Sequence, residues 1–206
     1  GNNLGIGAGW ADFYAFIDRD MIVTRGWLDK LTALLRAHQE VGMASPVMNA
    51  GIGEQGVPQG GDSCPWPERW PGKHFVPNPL SYEEVQEYGA HVESENRDKC
   101  IYNAPLWLPC AVVPVRTIDK VGAFDERFFW ADGDLDYSYR VLKAGLLLAV
   151  RLDTYAHHQH RGYEVTSHYD PQPLTYWHEK YPGTTPAMPE GRDWNAFLPH
   201  KDVMMA

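Results

Sequence analysis

Cysteine is scarce in this chain. Cys64, Cys100 and Cys110 are the whole complement of 206 residues. An odd number without a C-x-x-C pair gives neither an even disulfide framework nor a paired-thiolate zinc site. A reducing compartment, the cytoplasm, is therefore expected. Long apolar runs are missing as well: the best candidates, Leu106–Val115 and Leu146–Val150, are strand-sized. A bilayer span needs roughly 18 to 20 such residues, so no transmembrane segment is expected. Basic residues are few and spread out, with 18 Lys and Arg against 27 Asp and Glu and a net charge of -9. Phosphate backbones bind clustered cations, so nucleic acid is not an expected partner. An initiator Met and a signal-peptide pattern are also missing. The chain opens on Gly1-Asn2-Asn3-Leu4-Gly5, which can enter a helix but not begin a core, and the sequence is expected to start inside a domain.

What is present is ordinary globular material, 44% apolar and 22% charged, enough for one sizeable core. Phe13 to Ile17 is a continuous apolar run, read as a buried and central strand that ends directly on Asp18-Arg19-Asp20. From Thr24 to His38 the residues Trp27, Leu28, Leu31, Leu34 and Leu35 recur at helical spacing, and Val41 to Val47 reads as a second strand. The resulting β-α-β unit predicts an α/β sheet. Residues 51 to 80 are rich in Gly and Pro around Trp66, Trp70 and Phe75. Such a stretch is either a functional lid facing sugar or acceptor or an ordered insertion packing its own aromatics. Ser81 and Glu84 form a capping box that opens a polar helix to about Lys99. Leu106 to Val115 returns to strand character, with Pro109 and Pro114 pointing to an edge or bulged strand. Asp134 to Ala144 has helical spacing, Gly145 is its C-cap, and Leu146 to Val150 is strand-like. A short helix fits Pro173 to Tyr181, and the chain from Pro182 onward reads as irregular.

Three groups of residues carry chemistry. Asp18 and Asp20, one residue apart at a strand end, can present oxygens to one hard cation, although such pairs also occur by chance in loops. Asp134 and Asp136 stand at a helix start, where the dipole favours the ionised form, and Arg140 lies one to two turns on. An ionised carboxylate there could act as a general base or could simply cap the helix. His157, His158 and His160 follow a strand-like stretch. Neighbouring residues of a strand point to opposite faces, so only some of the three can reach one site. Contact of one of them with metal or phosphate competes here with a self-contained zinc site, for which ordered Cys or Glu partners are lacking.

In order, these parts resemble the family-2 glycosyltransferases. The run from Gly1 to Asp20 resembles the segment leading from an Asn-containing helix into the strand with the D-x-D motif. The run from Val121 to Gly145 resembles the block with the acceptor-site acids, and Ala156 to Gly162 resembles a later histidine block. The resemblance implies a GT-A α/β sandwich with a mixed central sheet, occupying residues 1 to 181 with an insertion at 51 to 105 and a tail at 182 to 206. It implies a divalent metal, Mn or Mg, held by Asp18, Asp20 and His158, with Asp20 the more direct ligand. Asp134 matches the catalytic base, Asp136 and Arg140 the supporting positions of its helix, and Asn2 and Asn3 the polar positions ahead of the strand. The implied partners are a nucleotide-diphospho-sugar donor and a glycan or other hydroxyl acceptor.

Two departures stand out. Gly133 occupies the place of the family's Glu, and the family's first, nucleoside-binding β-α-β region precedes the part resembled here, so another polypeptide or a longer chain is expected to supply it. The expected reaction is inverting sugar transfer. A non-catalytic carbohydrate-binding protein on the same scaffold, and a zinc hydrolase centred on the histidines, are the rival expectations.

Overall fold

The computed structural model describes residues 1–49, 80–102, 106, 108–128, 133–159, 172–183 and 203–205. Apolar strands flanked by amphipathic helices fold into one mixed α/β sheet. The strands are β1 (Phe13–Ile17), β2 (Met21–Val23), β3 (Val41–Met48), β4 (Lys99–Tyr102), β5 (Cys110–Pro114), β6 (Leu147–His158) and β7 (Val203–Met205). Their order is β1-β5-β3-β6-β4-β7, with β2 paired to the end of β6. All eight residues of β3 are buried, as a central strand requires. The β3–β6 register shifts between Pro46 and Val47, beside the one residue of β3 with no N–H to give to the ladder.

Helix α2 (Trp27–Ala37) covers one face, setting Trp27, Leu31, Leu34 and Leu35 on Val41, Ala44, Met48 and Ala149. On the opposite face α3 (Tyr82–Asn96) and α5 (Gly133–Lys143) bring Val85, Tyr88, Tyr137 and Val141 onto Met43, Val47, Leu148 and Tyr155. The sheet is therefore sandwiched between helical layers. Close approach is built in at Gly42, where an added Cβ would lie 2.8 Å from Val141 Cγ1.

The helix signals hold locally. Ser81 Oγ accepts from the Glu84 N–H at 3.2 Å, and Glu84 Oε2 accepts from the Ser81 N–H at 2.9 Å. At the end of α5 the Gly145 N–H reaches Leu142 O at 2.9 Å and the Leu146 N–H reaches Val141 O at 3.2 Å. That is a Schellman motif, with Gly145 in the left-handed region at φ 75°. The remaining helices are α1 (Asn2–Gly7), α4 (Val115–Val121) and α6 (Gln172–Lys180). No helix among the described residues is long and apolar enough to cross a membrane.

Several expectations need correction. β5 is interior and buried throughout, because Pro109 precedes it and Pro114 is its last residue, so neither removes a mid-strand donor. The region read as an insertion contributes α3 and β4 to the fold, with α3 ending at Asn96 and not near Lys99. Residues 203–205, read as irregular, pair with β4 as β7. β1, read as central, lies at the end of the strand path with Ile17 46% exposed. Among the described residues it pairs with β5 alone. The stretch around Trp66, Trp70 and Phe75 lies outside the described residues.

Candidate functional site

β1 and β3 are each antiparallel to β5, and β3 is parallel to β6. Hence β1, β3 and β6 all point their carboxyl ends toward one edge of the sheet, the place where α/β folds bind ligands. Asp18-Arg19-Asp20 forms the turn at that edge. The Asp18 N–H reaches Pro109 O at 2.9 Å, the Met21 N–H returns to Asp18 O at 3.1 Å, and the Gln159 N–H reaches Asp20 O at 2.8 Å. β2 then runs back along β6 with Met21 opposite His158.

This path brings His158 Nε2 within 3.1 Å of Asp20 Oδ1. One ligand atom each from Asp18, Asp20 and His158 lie within 4.8 Å of one another. Adjacent oxygens around an octahedral ion at about 2.1 Å sit about 3 Å apart, so small side-chain adjustments suffice for all three to share one ion. The donor set, two carboxylates and one imidazole, is one that could hold a divalent cation. The Asp18 carboxyl is pushed above the ordinary carboxylate value, first by loss of water around it; the Asp20 charge adds to this and His158 opposes it.

The choice among the histidines follows from strand alternation. His157 is fully buried on the other face, with Nδ1 2.8 Å from the Tyr155 hydroxyl. His160 lies outside the described residues. His157 and His158 thus do not meet at one site, which removes the geometric basis for a zinc centre built on both.

Asp134 lies in the first turn of α5, half-buried, with Oδ1 accepting from the Leu135 N–H at 2.9 Å. Aromatic contacts link this helix to the D-x-D strand: Phe16 meets Phe124 edge-on at 5.1 Å, and Phe124 stacks on Tyr137 at 4.2 Å. A Cβ at Gly133 would lie 3.3 Å from Phe128 Cβ, a tight approach that a side chain there could take only with a shift of a few tenths of an ångström.

Two expected site residues are used elsewhere. The Asn3 amide donates to Phe124 O at 2.8 Å and to Glu126 Oε1 at 3.0 Å, and its oxygen accepts from the Phe124 N–H at 2.9 Å. Both amide hydrogens are committed, so Asn3 latches α1 to the loop before α5 and leaves none for a cofactor. Arg140 Nε donates to Asp136 at 2.8 Å and Nη1 to Val121 O at 3.1 Å. Its guanidinium faces the protein and joins α5 to the end of α4.

A charged network was missed from the sequence. Asp136, fully buried, accepts from Arg140 at 2.8 Å, Lys180 Nζ at 2.7 Å and the Tyr181 hydroxyl at 2.7 Å. Lys180 also reaches Asp125 at 2.8 Å, and the Tyr176 hydroxyl donates to the same carboxylate at 2.6 Å. Burial pushes the Asp125 carboxyl up, but the hydrogen bonds from Lys180, Tyr176 and Arg127 outweigh it and hold the group well below the ordinary range. No local spacing reveals partners 44 or 55 residues apart.

No family model matches the chain, and no curated protein matches it.

Proposed function

We propose that this chain is a metal-dependent glycosyltransferase of the GT-A fold, similar to family 2, moving a sugar from a nucleotide-diphosphate donor to an acceptor hydroxyl. The observation that carries the reading is the convergence of Asp18, Asp20 and His158 at the carboxyl ends of β1 and β6. Asp18, Asp20 and His158 would hold a divalent ion, Mn or Mg, which would supply positive charge to the donor diphosphate. Asp134, at the helix start that favours its ionised form, takes the proton of the acceptor hydroxyl. The acceptor oxygen then attacks the anomeric carbon opposite the departing diphosphate, and the sugar's configuration inverts. Asp136, Arg140 and Lys180 hold α5 in place behind this base. The compartment is a reducing one, in keeping with the free, buried thiols of Cys100 and Cys110, whose burial pushes them up to about 11 and about 12.

One observation favours a non-catalytic, carbohydrate-binding scaffold instead: Gly133 stands where the family has Glu, and Asp132, the acid nearest that place, lies outside the described residues. Incubating the protein with a panel of nucleotide-diphospho-sugars and acceptors, with Mn, Mg or chelator, separates the two. Metal-dependent sugar transfer that Asp134→Asn abolishes, with donor binding retained, supports the transferase. Donor or glycan binding without turnover under every condition refutes it.

A further inference from the structure

The β3–β6 ladder stops at Met48 opposite Ala156, yet β6 continues for two more residues. At that point a side chain takes over from backbone. Asn49 Oδ1 accepts from the His158 N–H at 2.7 Å, and Asn49 Nδ2 donates to His158 O at 3.1 Å. A primary amide carries one acceptor and donors in the arrangement of a peptide group, so Asn49 extends β3 by one false rung. Both of its bonds fall on His158, the residue whose ring meets Asp20 at 3.1 Å. The next residue is held in a related way: the Gln159 amide grips both backbone groups of Leu80.

We propose that Asn49 is a positioning residue of the Asp18–Asp20–His158 site, fixing the His158 backbone so that its imidazole is aimed at Asp20. The proposal rests on the metal reading only for its consequence on affinity; the aiming of the ring exists without metal. β2 holds the His158 strand end from one side, with Met21 opposite His158, and Asn49 holds it from the other. Removing the amide frees the end of β6 to twist about the β2 pairing, and the ring swings with it. Partners that orient a ligand in this manner are typically worth roughly 10- to 100-fold in metal affinity.

The test uses the whole chain and its Asn49→Ala variant. In isotope-labelled, metal-free protein, the imidazole resonances of His158 and His157 are compared between the two. His157, buried and bonded to Tyr155, serves as the internal control. The expected result is a shifted His158 ring with an unchanged His157 ring. Calorimetric titration with Mn then shows affinity roughly 10- to 100-fold weaker in Asn49→Ala, and almost no further loss when Asn49→Ala is added to His158→Ala. An unchanged His158 ring, or His157 shifting together with it, overturns the proposal. So does an Asn49→Ala effect on affinity that persists in full without His158. If the unmodified chain binds no Mn or Mg at all, the metal reading fails, while the ring comparison still decides the positioning role.

Discussion

Gly89→Ala sets two effects of comparable size against each other, and the structure decides which wins. Gly89 lies within α3, where Ala is intrinsically better by about 1 kcal/mol. Its missing Cβ, however, would lie 2.2 Å from Thr24 Cγ2. Carbon pairs settle at about 3.5 to 4.0 Å, so more than about 1 Å of movement is needed. Thr24 is poorly placed to yield, because its hydroxyl donates to Tyr155 O at 2.7 Å inside the protein. Rotating it away gives up a bond worth about 0.5 to 1.5 kcal/mol, and overpacking costs about 1 to 3 kcal/mol. The clash exceeds the propensity gain, and the net expectation is a loss of about 1 to 3 kcal/mol. For a chain of this length that lowers Tm by about 2 to 12 °C in a thermal scan. Thr24→Ser removes the offending methyl and keeps the hydroxyl, leaving the new Cβ 3.1 Å from the Thr24 Cβ position. The double variant should therefore recover most of the loss. A single Gly89→Ala variant more stable than the parent would refute the packing of α3 on the Thr24 turn.

The other predictions concern the charged groups. Saturating Mn, at about 100 times its dissociation constant, should stabilise the protein by about 2.7 kcal/mol, a Tm rise of about 5 to 11 °C; Asp20→Asn should remove that rise. Asp18→Asn should raise the Tm of the metal-free protein at neutral pH, because the folded state pushes the Asp18 carboxyl upward and so disfavours its charge. That advantage should shrink as the pH falls through the raised value, where the Asp18 carboxyl becomes neutral, and parallel thermal scans of the two proteins read it. Asp125 has the opposite sign: its folded carboxyl is depressed, so its contribution is present above the unfolded value of 3.8 and is lost as the pH falls below it. Asp125→Asn should accordingly lower Tm at pH 7, with the gap to the parent closing below about pH 4.

The sequence pattern located elements whose burial is continuous or whose ends carry chemical signals. Val41–Met48 is buried throughout, Phe13–Ile17 is an unbroken apolar run of which only Phe16 is buried, and α3, too polar for periodicity to find, was betrayed by its Ser81 and Glu84 box. The failures have the same physical cause in reverse. β2 and β7 are three residues long, too short to show a period, and β4 alternates partly buried with buried residues in only four positions. β5 was misjudged because prolines were weighed by presence and not by position in the ladder. The partners of Asn3 and Arg140 could not be read from the sequence because a polar side chain's partner is a matter of tertiary contact: Asn3 is 121 residues from Phe124. His158 was singled out by resemblance alone, because the strand whose alternation separates it from His157 was read as ending too early, at Val150 instead of His158.

The acids fall into two groups, those whose charge is met by donors of the protein itself and those for which a metal is proposed. Asp136 and Asp125 each receive a full set of donors, from Arg140, Lys180 and Tyr181 in one case and from Lys180, Tyr176 and Arg127 in the other. Their charges are neutralised by the protein itself, and removing a partner from a buried set of this kind leaves an uncompensated charge. Asp18 and Asp20 are arranged otherwise. Two carboxylates flank one turn, and no Lys or Arg forms an ion pair with them among the described residues. The Asp18 carboxyl is raised first by loss of water around it, with the Asp20 charge adding repulsion, at an edge where three strand ends converge. A divalent cation reverses the sign of that interaction for both groups at once. Asp18→Asn should therefore act on both sides of the balance: a more stable metal-free protein that binds the ion less well.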